Sequence, residues 1–147
     1  MVNFRNTSRN VLLAGMLAIG ACTLVPMAAS AAEAKATLSG ASEVPPTASS
    51  ATGTLQASIT NDVLTWTVTY SGLSGPVTGA HFHGPAMAGA NAAVVVPFTG
   101  SLASPIKGTA TLTAAQMADL MAGKWYVNLH TAASPGGEIR GQVMVTP

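Results

Sequence analysis

Three histidines are the residues best suited to chemistry in this 147-residue chain, and they are its only histidines. His81 and His83 flank Phe82 in the run Gly79-Ala80-His81-Phe82-His83-Gly84-Pro85, and His130 closes the run Trp125-Tyr126-Val127-Asn128-Leu129-His130. On an extended strand, residues i and i+2 share a face and stand about 6.5–7 Å apart at Cα, close enough for two imidazoles to reach one ion. With Ala80 and Phe82 facing a core, His81 and His83 face outward together; with Leu129 inward, His130 faces outward too. Three imidazoles with nothing softer nearby suit Cu(II) or Zn(II), with one coordination position left for water. A plainer reading stands beside it: H-x-H is a short pattern, and the same side chains could face solvent or cap a turn.

Other side chains are candidates for lesser roles around such a site. Met87, four residues after His83, could give a thioether to Cu(I) or simply pack a loop. Arg140 on an outward strand face could guide an anion, or be a surface charge. Glu43, ahead of Pro45-Pro46, and Glu138, after Gly136-Gly137, could support the histidines through hydrogen bonds or serve as turn residues. Ser and Thr are plentiful, yet none sits in a nucleophile-plus-base motif, and no glycine-rich phosphate loop is present.

The elements that must hold these residues read as strands. Leu55, Ala57 and Ile59 alternate with polar partners, as do Leu64, Trp66, Val68 and Tyr70, and the pair Asn61-Asp62 joins the two runs as a hairpin turn. Further alternating runs place Ile106, Ala110 and Leu112, then Trp125, Val127 and Leu129, then Ile139, Val143 and Val145, on the apolar side. Val94 to Phe98 adds a short apolar segment. Gly and Pro clusters separate the runs at Pro45-Pro46, Gly72 to Pro76, Gly84-Pro85 and Ser134 to Gly137. About seven to eight short strands in this pattern predict an all-β Greek-key sandwich or barrel. One short helix interrupts them: Thr113-Ala114-Ala115-Gln116 fits a capping box, Met117, Leu120 and Met121 form a stripe, and Gly123 can end it.

The first 31 residues read as an export signal. Arg5 and Arg9 precede an apolar run from Val11 to Val25, and Ala29-Ser30-Ala31 supplies an A-x-A cleavage site. The run is short for a membrane span of about 20 residues. Ile19-Gly20-Ala21-Cys22 also loosely resembles a lipoprotein cleavage site, with Cys22 as the lipidated residue. From Ala32 onward, Lys35, Lys107, Lys124 and Arg140 stand against five acids, so the mature chain carries a net charge of −1 and no cysteine. That balance excludes a nucleic-acid binder, which needs a basic face, and a disulfide scaffold. It fits a secreted or periplasmic protein with no membrane span in its mature form.

Three motifs carry a family resemblance. Leu38-Ser39-Gly40 with Glu43-Val44-Pro45-Pro46 is the first, Gly79 to Ala86 the second, and Trp125 to Thr131 running into Pro135 to Gln142 the third. In this order and spacing they resemble the CHRD domain, named for chordin and also found in exported bacterial proteins, over residues 36–145. The family is defined by no enzymatic activity, and the resemblance places His81, His83 and His130 on its H-x-H and N-L-H positions. A fainter similarity is to Cu/Zn superoxide dismutase, whose pattern would make the three histidines copper ligands and Arg140 the anion-guiding arginine. The bridging imidazole, zinc ligands and disulfide cysteines of that family have no counterpart here. The resemblances imply a superoxide-dismutase-like or immunoglobulin-like sandwich.

Three functions fit these residues. The foremost is an exported binding module with copper held by His81, His83 and His130. The second is a structural or adhesive module whose loops bind an extracellular protein or polysaccharide without metal. The third is a copper-only redox activity like that of a dismutase.

Overall fold

The computed structural model describes residues 31–146, so residues 1–30 of the expected export signal, Cys22 among them, lie outside the described residues. Nine strands form one antiparallel sheet: β1 (Ala32–Ser39), β2 (Thr52–Thr60), β3 (Val63–Ser71), β4 (Val77–His83), β5 (Val94–Pro97), β6 (Ile106–Thr111), β7 (Tyr126–Thr131), β8 (Ile139–Gln142) and β9 (Met144–Thr146). The one α-helix among the described residues, α1 (Ala114–Met121), lies between β6 and β7, and a 3-10 turn (Gly40–Ser42) follows β1. Eight strands run in the order β5-β4-β7-β8-β1-β2-β3-β6, and β9 pairs with β1. The ends of this sheet come together around a shared core, giving a nearly closed barrel, because Trp66 of β3 packs on Phe82 of β4. The all-β barrel with one short helix is as the alternation predicts.

Period-two alternation explains the inward faces. Leu55, Leu64, Trp66, Val68, Ile106, Val127, Leu129 and Ile139 are all buried, and the threonines between them line the outside. Asn61 and Asp62 both take positive φ, 48° and 63°, the left-handed pair that matches the twist of a two-residue hairpin. The helix carries the capping box read from the sequence: Thr113 Oγ1 accepts from the Gln116 backbone N–H, and the Gln116 side chain accepts from the Thr113 N–H. Gly123, at φ 69°, ends it.

Strand β1 was not among the runs picked out by alternation. Its inner face is Ala32, Ala34, Ala36 and Leu38, all buried, and alanine gives little hydropathic contrast and is depleted in strands. It nevertheless pairs with β2 along its whole length and touches β8 and β9 on its other side.

An aromatic cluster fixes the wall that carries the histidines. Phe82 packs edge-on to Trp66 at 5.3 Å, and both rings contact Phe98, at 5.0 and 4.9 Å. Phe82 therefore anchors β4 from inside while its neighbours His81 and His83 project to the other face. Trp66 has room only because Gly108 stands opposite it on β6, where a Cβ would lie 2.3 Å from the indole. We expect Gly108→Ala to lower stability by about 1–3 kcal/mol, the usual cost of overpacking, read as a fall in the thermal midpoint.

Candidate metal centre

The three histidines meet across one strand pair. β4 and β7 run antiparallel with Gly79 opposite His130, His81 opposite Asn128 and His83 opposite Tyr126. All of these residues except Gly79 carry side chains on the outer face, and Gly79 leaves room for its neighbours: a Cβ there would sit 3.2 Å from His81 Cε1 and 3.7 Å from His130 Cδ2. His81 Nδ1 lies 3.1 Å from His130 Nε2. One nitrogen from each ring can be chosen so that all lie within 4.8 Å of one another. Two trans donors on one ion, with bonds of about 2.0–2.1 Å, stand about 4.2 Å apart, so the cluster has to close only slightly around an ion.

Backbone carbonyls orient two of the rings. His83 Nδ1 donates to the Ala92 carbonyl at 3.0 Å, and His130 Nδ1 donates to the Pro135 carbonyl at 3.0 Å. A carbonyl can only accept, so in each neutral ring the proton is on Nδ1 and Nε2 carries the lone pair, which in His130 faces His81 Nδ1. The His83 Nε2 is buried and has no hydrogen-bond partner. A buried lone pair left without a donor is costly, and a cation would satisfy it. Burial and then the two other imidazoles hold His81 below the usual histidine range. Burial, ahead of all other causes, lowers His83 as well. Both shifts favour the neutral ring, the form that can bind a metal ion.

Behind the cluster the outer face is covered rather than solvent-exposed, which corrects the reading of Arg140 as a surface charge. The loop 84–93 folds back over β7 and β8 and covers Tyr126 and Arg140, the latter only 2% exposed. Arg140 donates to the Asn91 side chain at 2.9 Å and to the Ala90 carbonyl at 2.6 Å. Its guanidinium carbon lies 3.3 Å over the Tyr126 ring, and the same tyrosine stacks on His83 at 4.7 Å with the planes 2° apart. The Tyr126 hydroxyl donates to the Ala92 carbonyl at 3.3 Å, the group that also receives His83. A cation–tyrosine–imidazole stack thus holds His83 from one side and its loop from the other.

The remaining sequence candidates fall in different places. Met87 is 62% exposed in the covering loop. Glu138 is buried, but its partners are hydroxyls: Ser49 Oγ donates to it at 2.9 Å and Thr131 Oγ1 at 2.6 Å, with the Ser74 N–H at 2.9 Å. Burial alone would push this carboxyl up, yet the hydrogen bonds from Ser74, Thr131 and Ser49 outweigh it and hold it at about 2. Glu138 ties the loops before β2 and after β3 to the end of β7. Glu43 lies against the Asn128 amide, and burial raises its carboxyl to about 7 despite the opposing pull of Arg140.

Asn128 and Tyr126 are the site residues that sequence reasoning passed over. The signal was there for Asn128: it stands two residues before His130, the same spacing that links His81 to His83. Its Oδ1 lies 3.0 Å from His130 Nε2.

A model of the CHRD domain matches residues 34–143, most of the chain, and the protein belongs to the CHRD domain family. No curated protein and no solved structure matches the chain. No helix among the described residues is long and apolar enough to cross a membrane.

Proposed function

We propose that this CHRD protein is exported and binds copper through His81 Nδ1, His83 Nε2 and His130 Nε2, acting as an extracellular or periplasmic binding module. The observation that carries the copper site is the convergence of three imidazoles, two of them with their outer nitrogens tied to backbone carbonyls and one with its inner nitrogen buried without a donor. Outer hydrogen bonds of this kind orient metal-bound imidazoles and raise their donor strength. Among divalent ions, imidazole sites bind Cu(II) most tightly. His81 and His130 are each partly exposed, which leaves the ion reachable by solvent and a position open for water or a small anion.

Export is supported by the leader-like composition of residues 1–31 and by the position of β1, which begins at Ala32, directly after the expected cleavage site. The secreted or periplasmic product would then begin with its first strand.

Calorimetric titration of the chain from Ala32 tests the copper site. One Cu(II) per chain is expected, with affinity nearly flat from pH 8 to about 6.5 and falling below that as protons compete for imidazoles whose own affinity for them is weakened. Binding that is weak, or that strengthens as pH falls, would remove the proposal. Intact-mass measurement of the envelope or secreted fraction tests export: a product starting at Ala32 is expected, and an uncleaved chain held in the cytoplasm would contradict it.

A further inference from the structure

Resting on that copper site, we propose that the side-chain oxygen of Asn128 is its fourth protein donor. The centre then offers three imidazole nitrogens and one neutral oxygen, with no sulfur, a set that suits a divalent ion over Cu(I).

Position comes first. Asn128 faces His81 across the β4–β7 ladder and precedes His130 by two on the same strand, so it shares the outer face with all three histidines. Its Oδ1 stands 3.0 Å from His130 Nε2, nearly the 3.1 Å that separates His130 Nε2 from His81 Nδ1. Neighbouring donors on one ion, with bonds of about 2.0–2.1 Å, stand roughly 3.0–3.4 Å apart for angles between square and tetrahedral. Both separations therefore have the value expected of adjacent ligands.

The chemistry of the contact points the same way. In the tautomer of His130 that binds a metal ion, with its Nδ1 proton on the Pro135 carbonyl, Nε2 is an acceptor, and the amide oxygen facing it is an acceptor too. Two acceptors 3.0 Å apart are brought together by a proton or by a metal ion between them, and a metal ion would hold both as ligands. The amide is turned with its nitrogen toward Glu43. Asn128 Nδ2 and Glu43 Oε1 both lie where a Cβ on Gly137 would be, and Asn128 Oδ1 lies on the histidine side. Gly137, at φ 126°, is the residue that allows this approach. Asn128 is 3% exposed, so its side-chain oxygen is shielded from bulk water. The buried, unpartnered His83 Nε2 belongs to the same group of acceptors.

The test uses the chain from Ala32 with Zn(II) and Cu(II) as probes. In the wild-type protein, one equivalent of Zn(II) is expected to shift the Asn128 side-chain 13Cγ and amide resonances in NMR spectra well beyond those of the other asparagines. Asn128→Ala is expected to weaken Cu(II) binding about 10- to 100-fold and to change the EPR g and hyperfine values, while the imidazole nitrogen splitting stays. Asn128→Asp, which keeps an oxygen in place and adds charge, is expected to bind at least as tightly as wild type. Unmoved Asn128 resonances in zinc-loaded wild type would overturn the assignment even if the alanine variant failed to fold. So would an alanine variant with wild-type affinity and spectrum, which would leave the three-histidine site standing. A wild-type chain that binds neither ion would bring down the copper site itself.

Discussion

Glu138→Gln lowers the unfolding free energy by about 3 kcal/mol at pH 7 and removes much of the acid sensitivity of the fold. The number follows from linkage. The carboxyl is held at about 2 in the folded chain against 4.5 as the ordinary value, and each unit corresponds to about 1.4 kcal/mol. A depressed carboxyl contributes stability that is fully present above about 4.5 and is lost as pH falls toward 2. The gap between wild type and variant should therefore be widest near neutrality and close as pH falls through that window. Urea unfolding at pH 7, 4 and 2.5 measures it. A gap unchanged across these values would show that the Ser49, Ser74 and Thr131 hydroxyls do not act through the charge. Because those bonds join the loops before β2 and after β3 to the end of β7, weakening them should also loosen the strand that carries His130.

The largest expected effect on binding belongs to His83. His83→Ala removes the donor whose ring is fixed twice, by the Ala92 carbonyl and by the Tyr126–Arg140 stack. Losing an outer hydrogen-bond partner of a metal ligand typically costs about 10- to 100-fold in affinity; losing the ligand itself should cost at least about 100-fold. The same variant removes a buried, unpartnered nitrogen but also the Ala92 hydrogen bond and the packing on Tyr126, so the metal-free protein should lose about 1–3 kcal/mol. Competition titration and thermal melting of the metal-free chain read the two effects. Binding within tenfold of wild type would place copper elsewhere on the chain.

Much of this arrangement was legible before any coordinates. Strand alternation put Ala80 and Phe82 inside and His81 and His83 outside, because each faces an environment that a period of two selects. The Asn61-Asp62 turn and the Thr113 capping box are local chemistry and could be read locally. What could not be read was set by distant parts of the chain. Arg140 and Tyr126 sit on an outward face, and only the fold shows that loop 84–93 returns to cover them. Alternation also fails for β1, whose inner face is mostly alanine. The convergence of His130 on the H-x-H pair depends on the β4–β7 register, which nothing in either run specifies alone. Asn128 was hidden for another reason: an amide is a weak signal beside a histidine, although it obeys the same spacing.

The central claim is that His81, His83 and His130 form one copper site, and the most direct measurement is the EPR spectrum of the chain from Ala32 with one equivalent of Cu(II). A single species with splitting from three imidazole nitrogens is expected, absent when all three histidines are replaced by alanine in a chain that still melts cooperatively. A spectrum shared by the wild type and the triple variant would contradict the claim.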